Sequence, residues 1–114
     1  LTHYAAAMIA RGVLPAFRVG LLAPGDRDAW YSASPAYARS LAEADVPALL
    51  GTVPTSGRPV LVGASLGALS ALHVEWTHPG TFDALFLASG SFFTIRHDEQ
   101  ESGHARFFRI ALAV

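Results

Sequence analysis

The chain of 114 residues has no cysteine and no lysine, its eight basic side chains all being arginine. Without cysteine there are no disulfides, no zinc–thiolate centres and no thiol nucleophile. Charge is sparse, at 15% of residues against 52% hydrophobic, and the formal net charge is -1. That balance supplies no basic field, so neither a nucleic acid nor an acidic membrane surface is expected as partner. No apolar run reaches the ~20 residues that a membrane span requires. The first residues, Leu1-Thr2-His3-Tyr4, place no basic segment ahead of an apolar core and do not read as a signal peptide. A cytoplasmic setting is the expectation. With neither a methionine nor a cap at the start, the residues read as part of something longer.

What is present alternates between apolar runs and helical patterns. Residues 3–11 are strong helix formers, with Gly12 as a stop. Phe17–Ala23 reads as a short buried strand closed by Pro24-Gly25, and "DRDAWYSAS" (residues 26–34) as a loop. Ser34 caps and Pro35 opens a helix to about Leu50, which Pro47 should end or kink. A strand is expected over 59–64, a helix over 66–77 stopped near His78-Pro79-Gly80, and a third strand over 84–88. The tail from Arg96 to Val114 reads as a polar loop and then a helix around 102–113. Continuous apolar strands separated by helices predict an α/β fold, its parallel strands covered on both faces.

The chemistry sits at the junction of the second strand and its helix, in "PVLVGASLG" (Pro59–Gly67). G-x-S-x-G between a strand and a helix places the serine on a strained turn. Gly63 and Gly67 leave space there where side chains would clash. The turn lifts the Ser65 hydroxyl above the sheet edge and aims the Leu66 backbone N–H, at the positive end of the helix, at a developing oxyanion. The pentapeptide alone is a weak signal, and a merely structural turn is its bland reading. Its strand-to-helix context favours Ser65 as nucleophile.

The longer string "VLVGASLGALSALHVEWTHPGTFDALFLASGSFF" (residues 60–93) resembles the nucleophile region of the serine esterases that include enterochelin esterases, esterase D and the antigen 85 mycolyltransferases. There an elbow serine is followed by an Ala/Leu-rich helix, then H-P-x-x-F, a strand and S-G-S-F. His78-Pro79, Phe82 and Ser89-Gly90-Ser91-Phe92 match those elements. Residues 26–49 also resemble the preceding segment, although members often carry an acidic residue where Ala29 stands. The resemblance implies an α/β-hydrolase fold of which residues 1–114 form the central part of a single domain. It also implies that a strand before Leu1 belongs between the 17–23 and 59–64 strands, and that the triad acid and histidine lie beyond this chain.

Substitutes within the chain fit poorly. His73 lies ~12 Å along the helix from Ser65, too far to take its proton. His78 reads as a helix C-terminal residue and Asp83 as an exposed turn or cap at the far edge. His97, Asp98, Glu99, Glu101 and His104 fall on the serine's side of the sheet, where a solvated loop is the plainer reading. His97 and His104 lack a third ligand at convincing spacing, so no metal is expected, and no cofactor either. Trp30, Phe92 and Phe93 are candidate substrate-lining residues, with core packing as the alternative, and the same holds for Tyr31 and Tyr37. Ser89 and Ser91 read as turn-holding residues, and Arg27 as a surface partner of Asp26 or Asp28 or a guide for an anionic substrate.

Two functions remain. One is an esterase of the enterochelin-esterase type acting on a small-molecule ester, with acyl transfer to a sugar hydroxyl as its rival chemistry. The other is a truncated, incompetent relative serving as a binding or interaction module. Exposed strand edges also predict self-association.

Overall fold

The computed structural model describes residues 2–23, 25–52 and 54–92. Helix α1 (Thr2–Ala10) ends as its sequence predicts. Gly12, at φ +71, lets its N–H reach Ile9 O at 2.9 Å and that of Val13 reach Met8 O at 2.9 Å, which satisfies the last carbonyls of the helix.

Phe17–Ala23, expected to be a buried strand, is neither a strand nor buried. Every residue of it is exposed, and among the described residues it has no hydrogen-bonded neighbour strand. Apolar composition makes a segment ready for a sheet, but a strand exists only where another backbone pairs with it. The loop expected after it contains a short helix, α2 (Arg27–Tyr31), because the Asp26 carboxylate accepts the Ala29 N–H at 3.0 Å and caps the first turn.

Ser34 and Pro35 start α3 (Pro35–Ser40) as expected, with Ser34 Oγ accepting the Tyr37 N–H at 3.4 Å. Pro47 neither ends nor breaks the helical course of the chain. A π-helical turn, Leu41–Asp45, intervenes, in which the Val46 N–H bonds Leu41 O, and α4 (Val46–Thr52) then continues through the proline. The wider turn sits immediately ahead of the proline, where a regular ladder would be interrupted.

Strand β1 (Val60–Ala64), helix α5 (Leu66–Thr77) and strand β2 (Ala84–Ala88) form one βαβ unit. The strands pair in parallel, Val60 opposite Ala84 through Ala64 opposite Ala88. Helix α5 is packed between the sheet and the α2–α3 layer. At one end Leu66 and Leu69 bury Ala33 with Tyr31. At the other, Val74 and Phe82 meet Ala38 and Leu41, with Leu61 and Leu85 of the sheet beside them.

Helices were expected on both faces of the sheet, and among the described residues they cover one. The opposite face leaves Val60, Val62 and Phe86 at 56%, 67% and 63% exposure. One crossover covers one face, and the described chain makes a single crossover. No helix among the described residues is long and apolar enough to cross a membrane.

Candidate active site

Ser65 is the sole residue between the end of β1 and the start of α5. To turn the chain there its backbone adopts φ 54, ψ -122, a conformation that an L-residue holds only when its surroundings impose it. The neighbouring glycines show how. A Cβ at Gly63 would fall against Gly67 O, 2.5 Å from Gly67 C and 2.8 Å from Ala68 N, so glycine alone lets the first turn of α5 sit on the strand. The second glycine behaves otherwise. A Cβ at Gly67 would meet nothing within 4 Å, which corrects the expectation that both glycines avoid a clash. Gly67 contributes the backbone against which Gly63 packs.

Hydrogen bonds pin the turn on each side. The Ser65 N–H donates to Ala88 O at 3.0 Å, and its carbonyl accepts from Ala68 at 3.0 Å and from the Ser91 N–H at 3.3 Å. The hydroxyl makes no helix-cap bond; Ser65 Oγ instead lies 3.2 Å from Ser91 Oγ. The Leu66 N–H has no acceptor among the described residues and opens the 12-residue helix, where the backbone dipoles present positive charge. Strain gathers around this edge. Among the described residues, the non-glycine positions with positive φ are Ala33, packed on Leu66 and Leu69, Ser65 itself, and Ser89 just beyond β2.

The fold thus brings Gly63, Ser65, Leu66 and Gly67 together and adds Ser91, which the sequence suggested only as a turn residue. Its S-G-S context was the available signal. Phe92 lies at the same edge, its ring folded over Gly90, where a Cβ would collide with it. Trp30 stacks on Tyr37, centroids 5.5 Å apart, and with Leu22 and Asp45 lines a cavity of about 470 Å³ whose wall includes none of the elbow residues. Burial there, followed by the neighbouring Tyr31, pushes the Tyr37 hydroxyl up to about 12.

No histidine among the described residues serves Ser65. His73 is buried within α5, and His78 holds Thr77 Oγ1 at 2.9 Å and faces Glu43 at 3.7 Å. Asp83 pairs with Arg58, whose Nε donates at 2.8 Å, and ties the turn before β1 to the start of β2, at the far end from Ser65. Arg27 pairs with Asp28 at the surface, at 3.1 Å. Phe93, His97, Asp98, Glu99, Glu101, His104 and the helix expected over 102–113 lie outside the described residues. Among those described, no three His, Asp or Glu side chains group as metal ligands.

Residues 23–105, which include this elbow, match the model of a family described as "Putative esterase". The chain belongs to this esterase family. Neither a curated protein nor a solved structure matches it. The esterase family implies an α/β-hydrolase, and the parallel βαβ unit with its helical layer is a partial fold of that class. The strained serine and Ser91 both fall inside the matched residues.

Proposed function

We propose that this family member is a serine carboxylic-ester hydrolase of the enterochelin-esterase type, with Ser65 as its nucleophile. Ser65 Oγ attacks the ester carbonyl carbon and yields its proton to a histidine base supplied from beyond the described residues. The Leu66 N–H donates to the oxyanion as it forms. The alcohol leaves with the proton held by the base, and water then cleaves the Ser65 acyl ester by the same steps in reverse order of roles. Trp30 has no part in this reading, while Phe92 borders the acyl site.

The observation that carries the proposal is the backbone of Ser65, held at positive φ in the one-residue junction between β1 and α5, with its hydroxyl unspent on capping. Conformational cost of this kind persists where function uses it. In the full-length protein, Ser65→Ala is expected to abolish hydrolysis of a short-chain aryl ester and labelling by a fluorophosphonate probe while the far-UV circular dichroism is kept. Hydrolysis above the uncatalysed background by that variant would refute the assignment.

A further inference from the structure

Ser91 is a polar residue at 6% exposure, and two of its groups are turned on the elbow. Its N–H donates to Ser65 O at 3.3 Å, and its hydroxyl oxygen lies 3.2 Å from Ser65 Oγ. The chain is bent to bring it there. Ser89 takes φ 47 directly after β2, and Phe92 closes over Gly90, so that Ser91 returns to the strand end it has just passed.

We propose that Ser91 is a positioning residue for the nucleophile: its hydroxyl donates to Ser65 Oγ, fixes that oxygen over the end of β2 and stabilises the charge that builds on it. The inference rests on Ser65 being the nucleophile. A serine hydroxyl has one proton and two lone pairs. If Ser65 Oγ–H is to point at a base, the contact with Ser91 survives only with Ser91 as donor. Ser65 Oγ is also the acceptor that the described residues offer the Ser91 hydroxyl. No bond is made or broken at Ser91. As the bond from Oγ to the carbonyl carbon forms, the Ser65 proton goes to the base and Ser91 keeps its own; when the acyl ester is cleaved, Oγ recovers a proton from the base. Donation strengthens as the oxygen becomes more negative, so its effect falls on kcat rather than on KM.

The test uses the full-length protein with Ser91→Ala, Ser91→Thr and Ser91→Cys, and with Ser65→Ala as control. Ser91→Ala is expected to lower kcat and the fluorophosphonate labelling rate roughly 3- to 10-fold, the equivalent of one neutral hydrogen bond, with KM unchanged. Ser91→Thr restores most of the rate and Ser91→Cys, a weaker donor, falls between. The backbone N–H contact remains in all three, so a purely structural Ser91 would shift the melting temperature without slowing the labelling of folded molecules. An unchanged kcat and labelling rate in Ser91→Ala, or a rise in KM alone, overturns the inference while leaving Ser65 in place if Ser65→Ala is inactive. An active Ser65→Ala overturns both. Should Ser91→Ala not fold, Ser91→Cys decides: slower labelling supports the inference and an unchanged rate refutes it.

Discussion

At Gly63 a single hydrogen separates a tight strand–helix junction from a collision with Gly67 and Ala68. Gly63→Ala is therefore expected to destabilise by about 1–3 kcal/mol or to prevent folding, since a rigid backbone rather than a flexible side chain stands in the way. Gly67→Ala meets open space and removes a glycine from a helix, so it should be neutral or stabilise by roughly 0.5–1 kcal/mol. Urea denaturation of the two variants side by side separates the glycines that the pentapeptide pattern treats alike. Tyr37 gives a second test at this scale. Its hydroxyl is raised from 10.0 to about 12, first by burial and then by Tyr31. Between those values the unfolded chain has lost the proton that the folded one keeps, so the stability due to Tyr37 is complete below the lower value and drains away as pH rises through the upper one. Tyr37→Phe should flatten that alkaline loss in thermal melts; an unchanged alkaline limb would show that Tyr37 does not titrate in this way.

Among the elements, one carboxylate accepts two backbone N–H groups of the α5–β2 connection. Glu75 Oε1 accepts the Gly80 N–H at 2.6 Å and Oε2 the Phe82 N–H at 3.3 Å, while Phe82 itself is buried in the core beside Val74. Glu75→Ala leaves the exposed Gly80 N–H to water and the part-buried Phe82 N–H without its acceptor, and a cost of about 0.5–1.5 kcal/mol is expected. Glu75→Gln keeps one acceptor and should fall between, with the order read from denaturant midpoints. By contrast Arg58 and Asp83 are both largely exposed, and Asp83→Ala is expected to change stability by less than about 1 kcal/mol. The helical limits of 66–77 and the strand 84–88 were legible because local signals agree there: an apolar run, a helix-forming stretch and a His-Pro-Gly stop. A helix running on to about Leu50 was legible too, but the π-helical turn ahead of Pro47 was not, since it leaves no mark in residue preference.

For the whole molecule the open sheet face matters most. Val60, Val62 and Phe86, with the exposed Phe17, Val19 and Leu21, leave apolar surface in water beside an edge of β1 that has no partner strand among the described residues. Residues 1–114 on their own are expected to self-associate and to melt without a sharp transition; a monodisperse monomer by light scattering with cooperative unfolding would contradict this. The described residues offer Ser65 no base, and with the base expected beyond this chain, residues 1–114 alone should give no useful turnover of an aryl ester. Turnover near that of the full-length protein, lost on His97→Ala or His104→Ala, would place the base on one of those histidines.

By itself the sequence determined the βαβ unit, the caps at Ser34 and Gly12, and the position of the elbow serine, because each depends on residues adjacent along the chain. Tertiary structure decided that Phe17–Ala23 is no strand, that Trp30 stacks on Tyr37, and that Ser91 reaches the Ser65 hydroxyl across the sheet end. These outcomes turn on which backbone or side chain lies opposite. Pairing across space is a property of the assembled sheet, and no local pattern carries it.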